Sequence, residues 1–512
     1  MAGKDGLTLG DLYRGLREQF GAGGVPEPEV SARRIAAEAS GASAAEVALA
    51  PHTPMTARMV AHADAMAARR LAGEPLQYVL GSWGFRRLDL AVDQRALIPR
   101  PETELVAGTA IDWLNRTVRR RSITEVRVAD LGTGCGAIAL SIAHEVPQAR
   151  VYATDRSADA LALAGANLAG LGSAASRVSL HQGDWFDALE GAPVPGLGGG
   201  EVAPLRERLD AIVANPPYVA DGEVLPAEID RWEPSVALYA GPEGLSAART
   251  IVRDARAWLA PGGLLVLEIG SDQGPVVEAM ASARGYEGVR IEPDLAGLDR
   301  VLVAVRPQGE PHARVIDRAV DHLRDSEFVV APTDTLCGIM ARYADTDAVA
   351  RVCEAKERPR SEPMPILVSG LAQAEELVVL SPAARALAER HWPGGLTLVA
   401  RRRGGPDPLH GRQTLGVRAP ALGWLRWLID EVGPVTGTSA NRHGAETPAQ
   451  ATSAAKDLAI RPGIEGVIDG TALGGIASTV VDVTGSEPVV LRAGAVPAEL
   501  IEFPEIPDKS GT

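Results

Sequence analysis

Apolar residues along this chain change their spacing in blocks, and the blocks fall into three regions. In the first, Leu9, Leu12, Leu16 and Phe20 recur at helical spacing, with Asp11 and Arg14 outside the stripe. The Ala-rich runs Ser31 to Ser40 and Met55 to Leu71 predict further short helices. In the second region Arg127–Leu131 reads as a buried strand, followed at once by Gly132-Thr133-Gly134-Cys135-Gly136 and then by Ala137–His144 at helical spacing. Strand, glycine turn and helix form the first unit of a nucleotide-binding α/β fold. Arg150–Thr154 predicts the next strand and Val178–Phe186 a third. Leu209–Ala214 predicts a fourth, running into Asn215-Pro216-Pro217-Tyr218. After the apolar run Val301–Val305, the polar, proline-bearing stretch Arg306–Pro311 reads as a linker. A fresh α/β pattern then begins near Val315. Its strand Phe328–Ala331 precedes a helix-like segment ending in Lys356-Glu357-Arg358-Pro359-Arg360 and a second apolar run, Met364–Val368.

Composition bounds the class. The chain has 512 residues, enough for roughly three or four domains at ~150 residues each. Hydrophobic residues make 46% and aromatics 4%, so the cores are built from Ala, Val and Leu. Three cysteines, Cys135, Cys337 and Cys353, have neither metal-ligand spacing nor a disulfide framework, and nine histidines form no metal motif. No apolar run reaches the ~18 residues of a membrane span, and Met1–Gly6 lacks a signal-peptide core, so a cytoplasmic location and no membrane partner are expected. Pro195–Gly200 reads as a flexible insertion before the fourth strand.

The richest chemistry lies in Asn215-Pro216-Pro217-Tyr218. Two prolines stiffen the turn and remove donors, so the Asn215 side-chain oxygen and the Pro216 carbonyl can both accept from a planar NH2 group. Methylation of an amide or exocyclic amine, a poor nucleophile, needs such an arrangement. The plain alternative is a strand followed by a Pro-Pro turn. Asp155 ends the second strand about 20 residues beyond the glycine turn, the offset of a carboxylate that binds ribose hydroxyls; it could equally cap the helix starting near Ser157. Trp185 could stack on a purine or belong to the core.

With its flanking segments the tetrapeptide resembles the protein-glutamine N5-methyltransferases of the PrmC or HemK family, from about Arg34 to Val305. The resemblance is carried by Glu74–Gly81, Leu97–Glu104, Arg231–Pro234 with Ala237-Leu238, Gly241 with Gly244-Leu245, Leu259–Gly263, and Leu267–Gly270 with Gln273. Cys135 stands where many relatives carry another small residue. The resemblance implies a helical bundle for release-factor recognition (1–80) and a Rossmann-like methyltransferase domain (81–306). It also implies S-adenosylmethionine held by Gly132, Thr133, Gly134, Cys135, Gly136, Asp155, Trp185 and Asn215. The glutamine of the Gly-Gly-Gln motif of peptide chain release factors would be bound by Asn215, Pro216, Pro217 and Tyr218, with Asn215, Pro216 and Tyr218 catalytic. Adenine methyltransferases acting on DNA use a similar tetrapeptide. A formal charge of −15 and the absence of a base-reading segment oppose that reading, so no DNA partner is expected.

The third region carries Trp392–Leu398, Gly416–Pro420, Thr438–Asn441, Ala477–Asp482 and Leu491–Gly494 in that order. These resemble the YrdC-like threonylcarbamoyl-AMP synthases over 315–505, after a linker at 307–314 and before a tail at 506–512. The resemblance implies a twisted α/β sheet around a basic cavity, and condensation of L-threonine, bicarbonate and ATP, with Mg2+, for tRNA threonylcarbamoylation. Lys356, Arg358 and Arg492 would face the ATP phosphates, and Ser439, Asn441 and Ser478 would bond the nucleotide. Thr335 and Arg418 would grip threonine, with Thr333 nearby. Partners would be tRNA or the enzyme that modifies it. Cys337, Ile339 and Glu357 depart from the family pattern, so a domain that only binds nucleotide or RNA stays open. The whole chain thus reads as α/β and multidomain, fusing two enzymes.

Overall fold

In the computed structural model, residues 7–121, 123–190, 205–311, 313–360, 362–404, 413–442, 444–460 and 466–501 are described. The Gly-rich Pro195–Gly200 stretch and the 506–512 tail lie outside them. The chain divides into two compact units, one of residues 1–278 with 288–305 and the other of 279–287 with 306–512.

The first unit opens with helices α1 (Leu9–Ala22), α2 (Pro28–Ser40), α3 (Ala44–Leu49), α4 (Ala57–Leu71) and α5 (Leu76–Leu80). Thr8 and Asp11 form a reciprocal capping box that starts α1, and Ser43 and Glu46 do the same for α3. The predicted stripe of Leu9, Leu12, Leu16 and Phe20 is buried against Ile35 and Ala36 of α2 and Val60 and Met66 of α4. Each such side chain stabilises the bundle by roughly 1.5–3 kcal/mol. Polar contacts of Arg70 also tie the bundle to the rest of the first unit. Buried Arg70 donates to Glu228 at 2.8 Å, to the Glu74 carbonyl at 2.9 Å and to Ser31 at 3.3 Å.

A hairpin, β1 (Ser82–Phe85) with β2 (Leu88–Ala91), and a long helix α6 (Pro101–Arg121) lead into the sheet. Then come β3 (Val126–Leu131), α7 (Ala137–Glu145), β4 (Ala149–Asp155), α8 (Ala158–Ala169), β5 (Val178–Gln182), β6 (Leu209–Ala214), α9 (Ala227–Trp232) and α10 (Ser246–Asp254). They are followed by β7 (Leu259–Glu268), α11 (Gly274–Ala283), β8 (Glu287–Pro293) and β9 (Asp299–Val305). The seven strands lie in the order β5-β4-β3-β6-β7-β9-β8. From β5 to β7 all neighbours are parallel, and β9 joins β7 antiparallel. The central strands β3 and β6 bury most of their residues, as their near-continuous apolar runs require of a sheet covered on both faces. The order reverses between β3–β4 and β6, where a ligand crevice is expected at the strands' carboxyl ends. The third strand is shorter than the expected Val178–Phe186. It stops at Gln182, because Gly183 and Trp185 turn away with φ of +156° and +42°.

The second unit holds α12 (Ala313–Arg324), β10 (Val329–Ala331), β11 (Gly338–Met340), α13 (Thr346–Ala355), β12 (Ile366–Leu367), α14 (Leu371–Leu377), β13 (Val378–Val379) and α15 (Pro382–His391). It continues with β14 (Leu396–Arg402), β15 (Thr414–Arg418), α16 (Gly423–Val432), β16 (Val435–Thr436), β17 (Thr438–Ser439), α17 (Ala451–Asp457), β18 (Thr479–Asp482) and β19 (Val489–Arg492). A mixed sheet runs β16-β12-β15-β14-β18-β19 with β13 beside β14, and a small sheet runs β10-β11-β17. The expected strand 328–331 and the helix before Lys356 are both present. Among the described residues, no helix is long and apolar enough to cross a membrane.

Candidate functional site

The glycine turn between β3 and α7, Asp155 at the end of β4, Trp185 after β5 and Asn215 after β6 all stand at the carboxyl edge of one sheet. Together they line a cavity of about 280 Å³. Leu97, Pro99 and Thr103 form one wall, and Pro234, Val236 and Tyr239 another. Gly132 and Gly134 hold φ of +73° and +57°. The Asp155 carboxylate spans two elements, accepting from the Gly134 N–H at 2.9 Å and from the Ser157 N–H at 2.9 Å. It therefore fixes the turn and the start of α8 together, while Ser157 itself caps α8. The Trp185 ring lies against Gly132, where an added Cβ would come within 3.4 Å of it.

Of the expected residues, Gly136, Pro216 and Tyr218 do not line the cavity, and Thr133 lines it with its polar groups turned elsewhere. Thr133 lines the cavity, yet its N–H donates to the Thr154 carbonyl at 2.8 Å and its hydroxyl to Asp130 at 2.7 Å, so its polar groups serve the fold. Gly136 caps α7 at φ +90° outside the cavity lining, and a Cβ there would meet Leu140 at 3.1 Å. Packing and backbone conformation by themselves demand that glycine. Pro216 is buried and Tyr218 half-buried. Neither lines the cavity, whereas Asn215 and Pro217 do. The Tyr218 phenol is pushed up to about 12 by burial, then by Glu268. Cys135 is buried and its thiol pushed up to about 12, which makes it inert.

The Asn215 amide has one side committed and one side open. Its Nδ2 donates to the Thr103 hydroxyl at 3.0 Å, while its Oδ1 is buried with no hydrogen-bond partner. An orphaned acceptor of this kind costs about 1–3 kcal/mol unless a ligand donor meets it. Near Thr103 lies Glu268, whose carboxyl is pushed up to about 7, chiefly by burial, with the Thr103 hydroxyl opposing the rise. Beneath the glycine turn, burial likewise pushes the Asp130 carboxyl up to about 7. Sequence reasoning gave no role to Thr103, Glu268, Asp130 or Gln273. Each sat inside a motif but carried no signal apart from it. Gln273 holds the tetrapeptide loop by donating to the carbonyls of Tyr218 at 3.0 Å and Gly244 at 3.1 Å. Glu233 ties the two walls, accepting from the Ile98 N–H at 3.2 Å and pairing with Arg100.

In the second unit the expected residues gather in three groups. Arg418 is engaged by Asp334, by the Thr335 hydroxyl at 2.7 Å and by the Gly394 carbonyl at 2.9 Å; Thr333 bonds Thr335 at 3.0 Å. The guanidinium expected to fork onto a substrate carboxylate thus already faces an internal one. Lys356 is 1% exposed, its ammonium held by the carbonyls of Ser439 and of Asn441, the latter at 2.7 Å. Burial, then Arg358, lowers it to about 8. It organises the Ser439–Asn441 turn rather than standing free for phosphate. Asn441 is similarly spent on Arg442, Ala445 and Thr447. Arg358 bonds the Pro363 carbonyl at 2.8 Å and pairs with Glu362. In the third group, Ser478 bonds Thr397 at 2.9 Å and its carbonyl accepts from Arg492 at 2.8 Å. Burial, then the nearby Arg418, lowers the Arg492 guanidinium.

Three family models match the chain: the PrmC N-terminal domain over residues 11–81, the methyltransferase small domain over 107–194, and the Sua5/YciO/YrdC family, described as telomere recombination, over 321–494. The release factor glutamine methyltransferase of Moorella thermoacetica is 46% identical over 241 residues, covering 46% of this chain and 77% of that protein. That of Cereibacter sphaeroides is 38% identical over 306 residues, covering 59% of this chain and 99% of that one. Among solved structures, P. abyssi Sua5 complexed with L-threonine is 38% identical over 36% of this chain and 55% of that chain, with a TM-score of 0.34. A protein-(glutamine-N5) methyltransferase from Alicyclobacillus acidocaldarius is 29% identical over 41% of this chain and 94% of that one, with a TM-score of 0.24. The chain belongs to the release factor glutamine methyltransferase family and carries a Sua5/YciO/YrdC domain behind it.

Proposed function

We propose that this chain is a bifunctional enzyme that methylates N5 of the Gly-Gly-Gln glutamine of peptide chain release factors and forms threonylcarbamoyl-AMP from L-threonine, bicarbonate and ATP. One observation supports the first activity above all: the buried, partnerless Asn215 Oδ1 at the wall of a cavity lined by Gly132, Gly134, Asp155 and Trp185. That cavity suits S-adenosylmethionine, with a carboxylate for ribose hydroxyls and an indole for the purine. When bound, this donor supplies a methyl group already activated on a sulfonium. The protein's own task is alignment. Asn215 Oδ1 and the Pro216 carbonyl accept from the glutamine NH2, orient the nitrogen lone pair and stabilise the positive charge developing there. Pro216 and Tyr218 are assigned to the glutamine rather than the donor, because the cavity does not include them. No strong base is needed, since the proton leaves after transfer.

In the second unit, the threonine amine captures bicarbonate-derived carbon dioxide. The carbamate oxygen then attacks the α-phosphate and pyrophosphate leaves. Positioning and charge neutralisation carry such a step. Arg492, beside Ser478, is assigned to the phosphates, with a divalent cation such as magnesium arriving on the nucleotide. Thr335 and Arg418 are assigned to threonine, whose carboxylate takes the place of Asp334 on the guanidinium. The product feeds tRNA modification, with tRNA or its modifying transferase as partner. The engagement of Arg418 and Lys356 by internal groups favours, as a second reading, a unit that binds nucleotide or RNA without synthesis.

Two measurements on the full chain test these readings. Mass spectrometry of release factor incubated with protein and isotopically labelled donor should show one methyl group on the Gly-Gly-Gln glutamine. Pyrophosphate release from ATP should require both threonine and bicarbonate; release independent of them, or none, favours the binding reading.

A further inference from the structure

An asparagine amide can turn over by 180° and exchange its oxygen and nitrogen at little steric cost, so only its partners decide which end meets a ligand. For Asn215 that choice decides everything: a substrate NH2 needs the oxygen, and a flipped amide would present a second NH2 to it. We propose that Thr103 and Glu268 are positioning residues that lock the Asn215 amide with its oxygen toward the substrate nitrogen. The inference rests on the methyltransferase reading above.

The placement of the three residues allows a one-way chain. Glu268 is the last residue of β7 and Asn215 follows β6. The two strands run in parallel with Ala214 paired to Leu267, which sets Asn215 beside Glu268. Thr103 reaches the pair from the first turn of α6. A hydroxyl has a single proton. Given to the Glu268 carboxylate, it leaves only lone pairs on Thr103 Oγ1, and these can accept from Asn215 Nδ2, as seen at 3.0 Å. Without an acceptor at Glu268, the same proton would turn to Asn215 Oδ1 and favour the flipped amide. Water cannot easily take over, because Thr103 is 4% and Glu268 1% exposed. Glu268 Oε2 is buried without a partner, and the Thr103 hydroxyl is the neighbour that favours the charged carboxylate most.

The test is steady-state methylation of release factor by full-length variants, with donor affinity measured separately by calorimetry. Thr103→Val keeps the shape and removes the hydroxyl. It should lower kcat about 10- to 100-fold and leave the Kd for S-adenosylmethionine within about twofold, since an orientation is lost rather than a donor contact. Thr103→Ser, which restores the hydroxyl, should recover most of that loss. The Glu268→Gln and Glu268→Met pair reads the same device independently, should Thr103→Val fail to fold. Gln retains an oxygen acceptor and should keep substantially more activity than Met. Wild-type protein that leaves the release factor unmodified overturns the reading of the site, and this inference with it. Active wild-type protein with an equally active Thr103→Val, or a Thr103→Ser as impaired as Thr103→Val, overturns this inference alone.

Discussion

The Asn215 side chain shows how far a single residue's role could be read from its neighbours in sequence. The two following prolines announce an acceptor-rich turn, and that reading needs no tertiary information. Which end of the amide faces the cavity depends on Thr103, 112 positions away in the chain, and nothing in the local pattern signals that contact. Asn215→Ala removes the orphaned oxygen and should abolish methylation of the release factor while weakening donor binding only in part, which calorimetry and mass spectrometry would show together. Glu268 adds a pH dependence. Its carboxyl is raised from 4.5 to about 7 by burial. Thr103, Arg300 and Arg100 pull it down and Glu102 pushes it up; Tyr218 also faces it. Above about 7 it is an acceptor for the Thr103 proton; below, it can itself donate and scramble the relay. The expected outcome is a kcat that falls as pH drops through about 7, with that limb missing in Glu268→Gln. A wild-type profile flat from pH 8 to 6 would count against it.

Elements were more legible than contacts. The α1 stripe, the strand–glycine turn–helix unit of β3 and α7, and β6 appear where apolar spacing predicts them, because burial on one or both faces writes its period directly into sequence. Trp185 was harder. Reading Val178 to Phe186 as one strand passes over a turn made by Gly183 and Trp185, and the positive φ at Trp185 has no signature in the local pattern. The loop after β6 is likewise held by close approach rather than periodicity. A Cβ at Gly244, where φ is +67°, would sit 2.3 Å from the Tyr218 carbonyl and 3.0 Å from Gln273 Nε2. Gly244→Ala should therefore displace the tetrapeptide loop and lower methylation more than Gln273→Leu. The latter loses only the stitch and should cost about 1–3 kcal/mol of stability in denaturant melts. Equal, wild-type-like activity in both variants would show that the loop does not depend on this approach.

At the scale of the whole chain, ordered motifs located both units, whereas the surroundings of the second unit's charged residues are not written in those motifs. The motifs single out Lys356 and Arg418 but cannot show that backbone carbonyls and Asp334 already engage them. Buried carboxyls make a further whole-chain property measurable. Asp130, fully enclosed, is raised from 3.8 to about 7 by desolvation. A folded-state pKa above the unfolded value means that the folded form binds the extra proton. The stability linked to it is complete below the unfolded value of 3.8 and is lost as pH rises through about 7. Melting of the methyltransferase-bearing unit should thus grow easier between pH 5 and 8, and less steeply so in Asp130→Asn. The two chemistries share no intermediate, so their residues should fail separately. In the full chain, Asn215→Ala should stop methyl transfer and leave threonine-dependent pyrophosphate release intact. Arg418→Ala should do the reverse, because it removes the guanidinium assigned to the threonine carboxylate and leaves the cavity of Asn215 untouched. If either substitution silenced both activities in protein that still melts cooperatively, the assignment of one reaction to each unit would be wrong.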